Sequence, residues 1–412
     1  GKGIRNLKKF IKERKNEVKI MLDKNYVPVE KYNLNNVTEE EWLKLRTTGI
    51  GGSDCSAIMG CSPFTTKYDL FMQKTGHTPV EEFSDQMILD AGHKLENLVA
   101  QAYLFIMNRD AEGKEDAPKC RLISKKVMYQ HPLHPVMQAD VDRFIELTHP
   151  DGSKELKILE IKTTSNYNTD KWFKDGEEIV PPEYELQGRH YMSVMNIEKT
   201  DFVCLFCTQE LRFMASIWNG DDVTIPDDVF VEYMDRFILP NIFIRHINRD
   251  DDKEEKIIHA EENFWNEYVS KNIAPPIDEV GDKAVEGVLK YREINDTENE
   301  EETLEKNEII DNSVNQYFNL ISVKQSLNSQ IKNIDDMIRT HEANMINALS
   351  SDKAKYELED GRVIHFEMKP SRKTSFSVKS KDLPKLKEQY PEAYEKFVSK
   401  TEYSKKLNVK LG

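Results

Sequence analysis

Asp142, Glu160 and Lys162 are the residues of this 412-residue chain whose types and spacing point most directly to chemistry. Residues 136–147 and 156–163 read as two antiparallel strands joined by His149-Pro150-Asp151-Gly152, residue types that favour turns. Folding this hairpin about Asp151 pairs positions that sum to 302, which sets Asp142 opposite Glu160 and Asp140 opposite Lys162. Side chains alternate between the faces of a strand, so all four share one face. The intervening Val141, Ile158, Leu159 and Ile161 are apolar, so the other face can supply the burial. Two carboxylates across a hairpin, with a lysine two residues after the second, suit a divalent metal and a polarised water.

The rest of the chain must position this face. Length allows two or three domains and at least one large core. No apolar run approaches the ~20 residues that cross a bilayer, and no signal peptide is visible. The five cysteines are scattered, which fits a reducing cytosol rather than a disulfide framework. Cys204 and Cys207 lie on an apolar stretch that reads as a buried strand, where residues three apart face opposite ways, so both read as core thiols. The net charge of −15 is unevenly spread. Residues 1–24 hold nine basic and three acidic side chains, residues 369–412 twelve and five, and the centre carries −28. Basic ends can touch phosphates, whereas an acidic centre repels nucleic acid unless metals and local lysines intervene. The competing reading is that both ends are ordinary solvated segments.

Residues 1–24 have apolar positions at helical spacing with lysines between, a basic amphipathic helix. Thr38-Glu39-Glu40-Glu41 is a capping box that opens a short helix. Arg46 and the glycines of Gly49-Ile50-Gly51-Gly52-Ser53-Asp54 precede an apolar stretch. Backbone N–H groups at such a helix start suit an anion, with Arg46 and Ser53 completing a phosphate site; a capped tight turn is the plainer alternative. A further turn over 60–66 leads to a helix ending at Lys74-Thr75-Gly76. Residues 84–108 form a long helix on which Glu96 follows Gly92 by one turn. Pro181-Pro182-Glu183 opens a helix carrying Gln187 and Tyr191 on one side, with Arg189 and His190 on other faces. Residues 201–208 and 211–218 read as a strand pair, and 228–270 as helical. The run 292–308 holds eight acids against two bases. A long helix over 310–349 suits a coiled coil or an intramolecular hairpin, followed by a hairpin turned at Asp360-Gly361 and a short helix near 382–398.

Asp142…Glu160-Ile161-Lys162 resembles the Asp…Glu-x-Lys core of the PD-(D/E)XK nucleases. Together with Arg46…Gly49-Ile50-Gly51-Gly52-Ser53-Asp54, Gly92…Glu96 and Gln187…Tyr191, in that order, it resembles the YqaJ-type viral recombinase family, the phage exonucleases similar to lambda exonuclease. The resemblance covers roughly residues 40–215. It implies an α/β fold, a mixed central sheet flanked by helices, followed by a C-terminal helical arm and a small α+β unit. The expected divisions are a basic N-terminal helix (1–36), the nuclease domain (37–274), the acidic stretch and arm (275–350) and a small basic unit (351–412).

The activity implied is a metal-dependent 5′→3′ exonuclease that digests one strand of linear double-stranded DNA and leaves 3′ overhangs. Its cofactor is Mg²⁺, with Mn²⁺ as a substitute and two ions in the site. Asp142, Glu160 and Glu96 match the metal carboxylates, and Lys162 the catalytic lysine. Gln187 and Tyr191 match the helix that braces the site, and Arg46 and Ser53 the pocket for a 5′-terminal phosphate. Asp140 departs from the pattern, because that position is often small or hydroxylic in relatives. Beside Lys162 it either pairs with the lysine or weakens phosphate binding. The implied partners are DNA ends, a single-strand annealing protein and further copies of the chain in a ring such as a trimer, in the bacterial cytoplasm. A Cas4- or RecB-like repair nuclease and a non-catalytic DNA-end-binding protein are the alternatives.

Overall fold

The computed structural model describes residues 22–77, 86–292, 303–369 and 382–397. The expected N-terminal helix lies outside them except for its last three positions, which are not helical; most of the acidic run and the basic tail beyond 397 also lie outside. The chain divides into two units, Gly1–Thr297 and Glu298–Gly412.

In the first unit, β1 (Val29–Asn33) is followed by three short helices, α1 (Glu39–Arg46), α2 (Gly52–Ile58) and α3 (Lys67–Lys74), and then by the long α4 (Gln86–Ala111). Five strands follow, β2 (Lys119–Ile123), β3 (Val127–Gln130), β4 (Gln138–Asp140), β5 (Arg143–Thr148) and β6 (Lys154–Ser165). A two-stranded flap, β7 (Phe173–Lys174) and β8 (Glu177–Glu178), leads to α5 (Pro182–Met195) and β9 (Lys199–Cys207). The unit continues with α6 (Gln209–Ile217), the single-turn α7 (Phe230–Tyr233), β10 (Ile242–Asn248), α8 (Asp251–Phe264) and α9 (Asp282–Leu289).

The central sheet has the order β10-β9-β6-β5-β2. It is mixed: β6 and β9 are parallel, and the other neighbours antiparallel. On one face α4 packs Leu95, Val99 and Tyr103 against Ile145, Leu147, Leu159, Ile161, Val203 and Leu205. On the other, Phe144 and Ile158 meet Tyr191, Met192 and Met195 of α5. The expected sheet flanked by helices is therefore the fold. Alternation along β6 sends Leu159 and Ile161 to the α4 side, while Ile158 shares its face with Glu160 rather than opposing it.

The β5–β6 register follows the expected sum, from Arg143↔Leu159 to Thr148↔Lys154. The upward strand is shorter than expected. It breaks at Val141–Asp142, where Asp142 Oδ2 accepts from the Ile161 N–H at 3.1 Å, so a side chain occupies the place of a ladder carbonyl. Residues 138–140 belong instead to a separate sheet, β1-β3-β4, in which Asp140 lies opposite Met128 and not Lys162.

Residues 211–218, expected as a strand, lie mainly in α6. Thr208 caps it, and Leu211 and Ala215 are buried one turn apart. The helical reading of 228–270 also fails in its middle. The helical segment closes in a 3-10 turn over Leu239–Asn241 that contains Pro240, and β10 then alternates Ile242 and Ile244 toward one core with Phe243 and Ile247 toward the other.

In the second unit α10 (Glu308–Ala348) is one uninterrupted helix of 41 residues with no buried side chain, so the helical hairpin considered from sequence does not occur. The hairpin β11 (Lys353–Glu357) and β12 (Val363–Glu367) turns at Gly361, whose φ is 84°. The expected short helix is two, α11 (Leu383–Gln389) and α12 (Pro391–Phe397), divided before Pro391.

One glycine of the expected anion loop has a packing role. A Cβ on Gly52 would stand 2.5 Å from Tyr191 Cε1, so α2 approaches α5 only because the position is bare. Gly52→Ala is expected to destabilise the fold by about 1–3 kcal/mol. Thermal unfolding checks this, and an unchanged midpoint would contradict the packing argument.

Candidate active site

Strand β6 carries the centre of the site. Glu160 and Lys162 project from one face toward α5, where Gln187 and Tyr191 sit one turn apart. Lys162 Nζ donates to Glu160 Oε1 at 2.7 Å and to Gln187 Oε1 at 2.8 Å. Gln187 Nε2 donates to the same glutamate oxygen at 2.6 Å and to the Tyr191 hydroxyl at 3.3 Å. Asp142 stands at the mouth of the hairpin, held by Ile161 N–H. Glu96, on α4, accepts from Arg143 Nη1 at 3.0 Å. Gly92 permits this placement, since a Cβ there would press on Thr163 Oγ1 at 3.1 Å.

The cluster is short of positive charge. Glu160 is 1% exposed, and its Oε2 has no hydrogen-bond partner. Burial, reinforced by Asp142, pushes its carboxyl up to about 8. Burial also raises Asp142 against the pull of Lys162, and burial with Asp142 raises Glu96 against Arg143. For Lys162 burial opposes the charge, but Glu160 and Asp142 outweigh it and hold the ammonium above its ordinary value.

Arg46, Ser53, Glu96, Asp140, Asp142, Glu160, Lys162, Gln187 and Tyr191 all line one cavity of about 430 Å³. The structure thus places these nine candidate residues around one cavity, whereas Gly49 and Asp54 of the glycine motif do not line it. Two details differ from expectation. Asp140 does not pair with Lys162; its Oδ2 accepts from Trp42 Nε1 at 2.8 Å because β4 has left the hairpin. Nor does the glycine loop present all its N–H groups outward, since Gly51 N donates to Asp54 Oδ2 at 2.9 Å. The cationic wall is the Arg46 side chain, whose Nη2 donates to Ser53 Oγ at 2.7 Å.

Among the described residues no three carboxylate, imidazole or thiol side chains close around one point. Asp142, Glu160 and Glu96 still fit a hard divalent cation. All offer oxygen, each has one oxygen held by the protein, and Glu160 Oε2 is left over. A cation such as Mg²⁺ ordinarily completes its shell with water and substrate oxygens. Cys204 and Cys207 pack in different cores, as expected, and share no site.

Residues 41–201 match the model of the YqaJ-like viral recombinase domain. The chain is 29% identical over 375 residues to the uncharacterised protein YqaJ of Bacillus subtilis strain 168, covering 90% of this chain and 93% of that protein. Among solved structures it is similar to the alkaline exonuclease LHK-Exo from Laribacter hongkongensis, with 18% identity, a TM-score of 0.35 and coverage of 57% of this chain and 93% of the other. A phage-related exonuclease from Haemophilus somnus 129PT gives 13%, 0.32, and coverage of 56% and 99%.

Residues 41–201 contribute further cavity residues that the sequence reading missed, among them Trp42, His93 and Gln138. Trp42 and His93 stand one turn before Arg46 and Glu96 on their helices, a spacing that signals a shared face. Gln138 carries no such signal, because only the break in the hairpin brings β4 to the cavity.

The raised Glu160 carboxyl has a consequence for stability. Its folded-state pKa exceeds the ordinary 4.5, so the folded chain keeps a proton that the unfolded chain releases. Stability should therefore fall as pH rises between about 4.5 and 8. In EDTA, the thermal midpoint of the wild type is expected to fall more steeply across that window than that of Glu160→Gln. Parallel slopes would contradict the charge-deficient cluster.

Proposed function

We propose that this chain is a Mg²⁺-dependent 5′→3′ exonuclease acting on linear double-stranded DNA, leaving 3′ overhangs for phage-type recombination. The observation that carries the reading is the meeting, in one cavity, of Asp142, a buried Glu160 with a free oxygen, and Lys162 held by Gln187. Asp142, Glu160 and Glu96 would hold the metal, with Mn²⁺ as a substitute and room in the reading for two ions. Bound there, such a cation supplies Lewis-acid polarisation of a phosphate and of water.

The chain's own groups do the rest. Lys162, kept protonated by its two acidic neighbours, orients a water through its N–H groups and offsets the charge that builds on the phosphate. Gln187 fixes both partners, because its amide donates to Glu160 and accepts from Lys162. Tyr191 buttresses Gln187 from one turn further on. Arg46 and Ser53, which line the same cavity, would take a 5′-terminal phosphate by charge-assisted hydrogen bonds. A terminal phosphate seated at a fixed distance from the reacting one selects DNA ends over internal sites.

Work beside a single-strand annealing protein, on DNA in a bacterial cytoplasm, is part of this proposal, and the matched model's description as a viral recombinase domain suits the recombination role. Self-association into a ring such as a trimer belongs to the same reading. No helix among the described residues is long and apolar enough to cross a membrane.

Digestion of end-labelled duplex in Mg²⁺ tests the catalytic assignment. Lys162→Ala is expected to slow nucleotide release by roughly 10²–10⁴-fold with the fold intact. Undiminished digestion by the folded variant would reject the assignment. Ends bearing a 5′-phosphate are expected to be resected faster than 5′-hydroxyl ends, by about tenfold or more, and Arg46→Ala to remove the difference. Equal wild-type rates on the two ends would remove the pocket assignment and leave the catalytic one standing.

A further inference from the structure

Arg46 meets more than a ligand. Its Nη2 lies 3.2 Å from Asp54 Oδ1, and the Asp54 side chain is only 7% exposed. A buried carboxylate lying directly on a guanidinium satisfies the donors and cancels the charge that an incoming phosphate requires. Taken alone, that contact would spoil an anion site. Asp54 is shared, however. Its other oxygen accepts from Lys74 Nζ at 2.6 Å, and the Lys74 side chain is 4% exposed. Lys74 Nζ also donates to the Arg46 main-chain carbonyl at 2.7 Å.

These contacts place Lys74, the last residue of α3, behind the pocket wall and not on it. From there it binds the first turn of α2 through Asp54 and the last residue of α1 through the Arg46 carbonyl. Arg46, Asp54 and Lys74 together carry one net positive charge, and the only member of the trio that lines the cavity is Arg46. Trp42 completes the mount, with the Arg46 guanidinium 4.9 Å from its ring centre. A lysine is a poor choice for burial unless its charge serves a purpose, since Met fills a similar volume without the cost of desolvation. Burial does depress the Lys74 ammonium, against the pull of Asp54.

We propose that Lys74 is a positioning residue for 5′-end selectivity: by neutralising Asp54 from the buried side and holding the Arg46 main chain, it leaves the Arg46 charge available to a terminal phosphate. This rests on the reading of Arg46 and Ser53 as a phosphate pocket. Asp54 is then a counter-charge shared by the two cations, taken up from the buried side by Lys74. A purely structural role for the pair would affect stability alone.

The test compares wild type, Lys74→Met, Asp54→Asn and the double variant as full-length proteins. It uses a linear duplex with either a 5′-phosphate or a 5′-hydroxyl end. Two ratios are read: digestion rates in Mg²⁺, and affinities in EDTA by fluorescence anisotropy of a short labelled duplex. Thermal midpoints are measured alongside. Lys74→Met is expected to shrink the phosphate preference by about tenfold, toward unity, because Asp54 then claims Arg46 alone. Asp54→Asn should keep the preference, and the double variant should recover it although both side chains differ from wild type.

A Lys74→Met protein that melts lower but keeps the wild-type ratio would overturn the proposal. So would loss of preference in Asp54→Asn, and that arm decides the matter if Lys74→Met does not fold. A wild type with no preference at all would instead sink the phosphate-pocket reading beneath it.

Discussion

A buried carboxylate short of partners governs this structure. Glu160 is almost fully enclosed, gives one oxygen to Lys162 and Gln187, and leaves the other with none. Enclosing such a group costs free energy unless a cation or hydrogen bonds compensate it. Here one oxygen is left without a partner, and Asp142 and Glu96 raise the cost of ionising the group further. Glu160 on β6, Asp142 at the break before β5 and Glu96 on α4 border one cavity, and on the proposed reading a bound cation completes their electrostatics. That constraint explains why Lys162 is locked by two hydrogen bonds and why α5 must present an amide at Gln187. It also explains why Gly52 and Gly92 carry no side chain, since each lets a helix close on the cluster.

The surroundings of Arg46 follow a complementary rule. Where the β6 wall concentrates negative charge, the junction of α1, α2 and α3 exposes one cation and hides its counter-charges. Arg46 faces the cavity, while Asp54 and Lys74 settle their charges behind it. The cavity is therefore lined by the cations Arg46 and Lys162 as well as by the acids Glu96, Asp140, Asp142 and Glu160. On the proposed reading that lining sorts a DNA end, with a cation-bridged phosphate at the acids and a terminal phosphate at Arg46.

Much of this was legible in the sequence because strand parity is rigid. Once Asp151 is taken as the turn, period two alone carries Glu160 and Lys162 to one face and sets the β5–β6 register. The i,i+4 spacing likewise placed Gln187 with Tyr191, and the capping box at Thr38 marked a helix start. What failed depended on tertiary competition. Nothing local says that the strand through Asp140 ends at Asp142, because the break is made by a side chain bonding to a distant N–H. The apolar run 211–218 fits either a covered strand or a helix, and the Thr208 cap with the Leu211–Ala215 spacing decided for the helix. In 242–248 an aromatic-rich composition masked a period-two pattern that begins just after Pro240. Lys74 was invisible as a partner of Asp54, since 20 positions separate them and only the packing of α3 on α2 joins them.

The most direct measurement is mononucleotide release from one DNA sequence supplied as a linear duplex and as a covalently closed circle, in Mg²⁺ and in EDTA. The account predicts release from the linear form in Mg²⁺, none from the circle, and none from either form in EDTA. Degradation of the closed circle at a comparable rate, or release that persists in EDTA, would contradict it.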